Sequence, residues 1–339
     1  MSPPRWVLRL QAIWWRVLMR IGMFFHRLPI PRPTKPSFVR HFSATLSAPA
    51  ANVDLYFYVP KDYTALEKSG KKWRPVVNFH GGGFTLGSPT DDGRWARAVL
   101  EEVEDVVFIS VAYRLAPEYP FPAAVDDGVE ALLWLSAHAE EYNLDMSAVA
   151  LTGFSAGANL TFTVPLRLHA YVQSSSYTTK SHDAFEALNH MKMPKIKSIV
   201  AFYPALDFTM TRDERRATCC RPELTLSPSL ANLFDNSYMS TPDDKFSVHL
   251  SPATATDEEL RMLPNNVSMI LCEYDMLMSE GKVFAKRLER LGKTVTCEVV
   301  EKVRHAWDRS PNPFQVHKAV DIQYRNACSE MAKALNLDL

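Results

Sequence analysis

Val149-Ala150-Leu151-Thr152-Gly153-Phe154-Ser155-Ala156-Gly157 is a short apolar run that breaks into a turn, and residues 159–169 read as the helix that follows. Strand, G-x-S-x-G and helix in that order form a nucleophile elbow, in which a sharp turn lifts the serine hydroxyl above the end of a sheet. Gly153 and Gly157 let neighbouring backbone pass close to Ser155. A lone pentapeptide of this kind is only moderately specific. Here His80-Gly81-Gly82-Gly83 precedes it, and a candidate acid and histidine follow it. Together these mark Ser155 as an activated nucleophile.

The flanking sequence alternates strand with helix. Residues 75–79, 106–111, 196–202, 267–272 and 295–300 are short apolar runs, as strands covered on both faces require. Residues 125–138, 280–291 and 314–335 have helical patterning. The alternation predicts an α/β fold with a mostly parallel central sheet and helices on both faces. Val53-Asp54-Leu55-Tyr56-Phe57-Tyr58-Val59 alternates with period two and suits an antiparallel edge strand paired with the one before it. Two segments fit less well. Residues 171–195 are polar and read as a surface loop, and 209–256 lack strand character and read as a lid or cap.

At 339 residues, with 47% hydrophobic content, the chain suits one large domain with a smaller accessory piece. Its 38 basic residues balance 38 acidic ones, so the charge leaves no footprint for nucleic acid. Cys219, Cys220, Cys272, Cys297 and Cys328 form an odd, irregular set, which argues for reduced thiols in an intracellular, cytoplasmic protein. H-E-x-x-H and paired C-x-x-C patterns are absent, so no metal is expected.

The first 28 residues break the neutrality. Arg5, Arg9, Arg16, Arg20 and Arg27 recur at spacings that share one narrow helical stripe, and no acidic residue precedes Asp54. Apolar side chains from Trp6 to Phe25 fill much of the rest. The arginines interrupt that run too often for a membrane span, and no cleavable signal is evident. Two main readings stand: a cap helix with its apolar face against the catalytic body, or an interfacial helix giving peripheral membrane contact through residues 1–28. An Arg-rich targeting segment is a third.

A serine nucleophile needs a base, and the base an orienting acid. Asp275 lies just past one predicted strand and His305 just past the next, at the edge where loops following parallel strands gather. Glu273 is a rival acid. His249 precedes both acids in the chain, and His317 falls within the predicted last helix, where a structural role suits it better. The backbone amides of Gly82, Gly83 and Ala156 are candidate oxyanion donors. His80 and Gly81 shape the glycine loop.

These pieces, with Tyr113-Arg114-Leu115-Ala116-Pro117-Glu118 and Glu273-Tyr274-Asp275-Met276-Leu277, resemble the hormone-sensitive-lipase family of α/β-hydrolases, which includes bacterial esterases and arylacetamide deacetylase. The resemblance implies Ser155, Asp275 and His305 as triad, Gly82, Gly83 and Ala156 as oxyanion hole, and no cofactor. It also implies a cap assembled from the amino terminus and an insertion, dividing the chain into 1–44 (cap segment), 45–208 (catalytic), 209–256 (cap insertion) and 257–339 (catalytic). The expected partner is a hydrophobic ester, and homo-oligomerisation stays open. Ala306-Trp307 after the histidine and Met276 after the acid depart from the usual family pattern, which bears on substrate shape. An acyltransferase or specialised-metabolite hydrolase with the same triad remains an alternative. A ligand-binding receptor of this fold is another, disfavoured by the presence of His305.

Overall fold

The computed structural model describes residues 3–63, 70–177, 193–314 and 318–336. Its centre is an eight-stranded sheet of β1 (Phe38–Ala44), β2 (Ala51–Tyr58), β3 (Arg74–Phe79), β4 (Val106–Ala112), β5 (Val149–Phe154), β6 (Ile196–Phe202), β7 (Asn266–Tyr274) and β8 (Thr294–Arg304), in spatial order β1-β2-β4-β3-β5-β6-β7-β8. β3 to β8 run parallel, and β1 and β2 add the antiparallel edge. Side chains one residue apart enter opposite cores. Val77 and Ile109 join one cluster with α3 (Ala123–Ala137), α4 (Ala156–Tyr177) and α8 (Met278–Arg290). Val76 and Phe108 join the other with α2 (Gly93–Glu102) and α9 (Lys318–Ala334). Burial on both faces explains why these strands read as unbroken apolar runs.

The segment between β6 and β7 contains short helices with local start signals. Thr211 and Glu214 form a reciprocal capping box on α5 (Arg212–Ala217), and Thr256 with Glu259 does the same for α7 (Asp257–Arg261). Between them α6 (Pro228–Tyr238) starts at Pro228 behind the N-cap Ser227. The amino-terminal helix α1 (Arg5–His26) packs against α6.

Three expectations need correction. Residues 38–44, grouped above with the amino-terminal cap, form the edge strand β1, paired with β2 from Phe38 opposite Phe57 to Ala44 opposite Ala51. Their solvent-facing pattern hides a strand that only its partner defines. The polar stretch begun at Tyr171 continues α4 to Tyr177, while residues 178–192 lie outside the described residues, as does His317.

The third concerns α1. Its buried positions are Leu8, Ala12, Met23 and His26, whereas Trp6, Leu10, Trp14, Ile21 and Phe24 are exposed. The apolar face therefore points away from the body instead of packing onto it. Beside the small buried face, arginines make polar contacts with the body. Arg5 donates to the Ser237 carbonyl at 2.7 Å, and Arg16 to the Thr85 and Ala116 carbonyls at 2.9 and 2.8 Å and to the Glu118 carboxylate at 2.7 Å. Hydrogen bonds from a charged guanidinium are stronger than neutral ones, so these contacts hold the arginine flank against the body.

Candidate active site

The elbow is built by close packing at the end of β5. A methyl on Gly157 would overlap the Phe79 carbonyl oxygen on β3, so α4 approaches the sheet here only because this residue has no Cβ. Ser155 takes a φ of 53°, a left-handed conformation rare outside glycine, and its amide is held by the Phe202 carbonyl at 2.9 Å. The turn thus fixes the hydroxyl above the sheet edge, with Ala156 as the first residue of α4.

Ser155, His305 and Asp275 come together there. Ser155 Oγ lies 2.8 Å from His305 Nε2, and His305 Nδ1 lies 2.6 Å from Asp275 Oδ2. The arrangement that satisfies both contacts has the hydroxyl donating to Nε2 and Nδ1–H donating to the carboxylate. Asp275 is buried, and its other oxygen accepts the Leu277 amide at 3.1 Å. Both partners are the residues immediately after β7 and β8. Glu273 lies elsewhere: its carboxylate accepts the Lys302 amide at 2.6 Å. His249 lines a separate surface cavity with His169 and Met262.

Gly82 and Gly83 have φ of +123° and +59°, which a side chain would strain. The Gly82 carbonyl accepts from Thr85 and Leu86, while among the described residues the Gly82 and Gly83 amides donate to no protein group. They and the Ala156 amide at the start of α4 are free to serve an anion. Behind them, His80 stacks on Tyr113 with ring centres 4.3 Å apart, and its Nδ1 meets the Gly81 carbonyl at 2.8 Å. The Tyr113 hydroxyl donates to the His80 carbonyl at 2.6 Å.

Burial lowers the His80 imidazole from 6.5 to about 4. Because the folded value lies below the unfolded one, the unfolded chain takes up this proton first as pH falls. The stability that neutral His80 contributes is complete above pH 6.5 and is lost progressively down to about pH 4. The stability gap between the protein and its His80→Gln variant should therefore shrink by up to about 3 kcal/mol between about pH 7.5 and about pH 4.5. Urea midpoints at the two pH values measure it, and an unchanged gap contradicts a neutral buried imidazole.

The loop carrying His305 rests on a polar network with no local sequence signature. Asp308 accepts the hydroxyls of Tyr203 at 2.6 Å and Tyr324 at 2.7 Å. Arg309 pairs with buried Asp92, which also receives Asn78 Nδ2 at 2.7 Å, and its guanidinium lies over the Phe154 ring. Tyr203 meets His305 edge to face at 4.8 Å. These groups come from β3, the start of α2, the end of β5, the residue after β6, and α9, so nothing in any single segment announces them.

The pocket at Ser155 is narrow and mainly apolar, walled by Phe208, Leu226, Phe234, Tyr238 and Met239, with the Arg212–Asp235 ion pair on its rim. A larger cavity of about 250 Å³ beside Met276 and Glu280 does not reach the serine. Its Glu280 carboxyl is pushed up to about 7 by burial, against the pull of Arg215.

A strand-turn-helix serine, a histidine and carboxylate from the ends of later strands, and unoccupied glycine-loop amides define a serine-hydrolase arrangement on an α/β sheet. The family described as alpha/beta hydrolase fold matches residues 76–309. The chain belongs to that α/β-hydrolase family, in the branch resembling hormone-sensitive lipase. It is 30% identical over 236 residues to an arylesterase of Saccharolobus solfataricus, covering 70% of this chain and 69% of the relative. With the arylacetamide deacetylase of Oryctolagus cuniculus it shares 28% over 313 residues, 80% of this chain and 76% of that one. The Pyrobaculum calidifontis esterase structure superposes with a TM-score of 0.73 at 25% identity, covering 97% of this chain and 94% of that one.

Proposed function

We infer that the protein hydrolyses carboxylic esters through an acyl-enzyme formed on Ser155. The observation that carries this reading is the continuous hydrogen-bonded line from Ser155 Oγ through both nitrogens of His305 to Asp275, at 2.8 and 2.6 Å. Ser155 attacks the ester carbonyl as its proton passes to His305 Nε2, and Asp275 stabilises the imidazolium. The oxygen that becomes negative is received by the amides of Gly82, Gly83 and Ala156. The alcohol leaves with the proton from Nε2, and water then releases the acid by the same route. All of these groups belong to the chain itself.

The aromatic walls favour a hydrophobic ester with a short-to-medium acyl group, because Phe234 stands directly against Gly83 where a long chain would need space. Turnover of p-nitrophenyl esters of graded acyl length tests both parts. Hydrolysis that peaks at acetyl to hexanoyl and falls for palmitoyl is expected. Absence of turnover on every member overturns the ester reading, and a palmitoyl optimum overturns the size limit alone.

A further inference from the structure

The geometry points to α1 as a docking surface that lies in the plane of an anionic lipid bilayer, with its outer apolar face inserted at the level of the headgroups. The helix has three faces. Leu8, Ala12, Met23 and His26 face the protein. On the opposite side Trp6 is 66% exposed, Trp14 62%, Leu10 and Phe24 59%, and the ridge continues to Ile30 at 85% beyond the helix. Between these faces runs the arginine flank. Arg5, Arg16 and Arg27 turn inward to Ser237, Glu118 and Asp91, while Arg9 and Arg20 remain exposed at the border of the apolar ridge. Exposed Arg32 and Lys35 follow, before any acidic residue appears in the chain.

A broad apolar ridge edged by arginine is the pattern of a helix at the membrane interface, where tryptophan and phenylalanine occupy the acyl–headgroup boundary and cations meet lipid phosphates. No helix among the described residues is long and apolar enough to cross a membrane. Charge selects this occupant over a second copy of the chain. Antiparallel two-fold pairing of the ridges would bring like-charged arginine borders together, whereas an anionic bilayer neutralises them.

The helix also touches the walls of the catalytic pocket. Arg16 holds the Thr85 carbonyl two residues beyond Gly83, and Arg5 holds the Ser237 carbonyl beside Tyr238. Docking through α1 would therefore set those walls close to the lipid phase, suited to an ester that partitions into membranes; this last step rests on the ester-hydrolase reading, and the docking does not. Deleting α1 would disturb the pocket walls and confuse the two, so substitutions on the outer face are the better probe.

Co-sedimentation should carry the protein down with vesicles of phosphatidylcholine containing about one-third phosphatidylserine, and far less with phosphatidylcholine alone. Trp14→Ser with Phe24→Ser should lower partitioning at least about tenfold while the circular-dichroism melt stays unchanged, because both side chains point into solvent. Arg9→Gln and Arg20→Gln should each weaken binding about fivefold on the anionic vesicles and have little effect on the neutral ones. A protein that stays in the supernatant with both vesicle types overturns the proposal. So does a stable dimer in light scattering that Trp14→Ser with Phe24→Ser splits, since the ridge then belongs to a second copy.

Discussion

Ser155→Ala should reduce ester turnover by about a millionfold while the protein stays folded. The hydroxyl is the start of the proton path to His305, and without it neither attack nor acyl-enzyme formation can occur. Its removal costs the fold little. The strained φ of 53° at this position is a backbone property that alanine must also adopt, and the amide bond to Phe202 is unaffected. Wild-type and variant melting curves should agree within a few degrees. A folded variant with near wild-type turnover would falsify the assignment of Ser155 as nucleophile.

The second large effect separates two nearby carboxylates. Asp275→Asn should cost about ten-thousandfold in turnover with little change in the affinity of a substrate analogue. An amide at this position can present its NH₂ to His305 Nδ1, which favours the tautomer whose Nε2 can no longer accept the serine proton, and it cannot stabilise the imidazolium. Glu273→Gln should lose less than about tenfold, because the amide oxygen can still accept the Lys302 amide. Should Glu273→Gln prove the more damaging of the two in steady-state kinetics, the orienting acid has been misplaced.

What could be read in the sequence follows from how local each feature is. The elbow, the glycine loop and the positions of Asp275 and His305 are each set within a few residues of a strand end, so period and turn residues expose them. The strands of the parallel sheet announce themselves because burial on both faces leaves no polar alternation. The orientation of α1 was not accessible in this way. Its helical stripes are visible in the sequence, but which stripe meets the body depends on Glu118 and on the carbonyls of Thr85 and Ala116, far along the chain. The same holds for Asp92, Asp308 and Arg309, whose partners come from separate elements. Edge strand β1 escaped because one face of it is bathed in water, and its alternation is indistinct without β2 beside it.

The tether between Asp308 and Tyr324 carries a consequence for the timing of synthesis. The nucleophile and its glycine loop are complete in the first half of the chain, but the histidine loop is held from the last helix. During vectorial synthesis a ribosome-bound chain can form the elbow and much of the sheet long before residue 324 emerges. Over that interval the serine has no properly held base. Ordering of the histidine loop therefore waits on α9, whose Tyr324 holds Asp308 and whose Val320, Cys328 and Met331 complete the core on that side of the sheet.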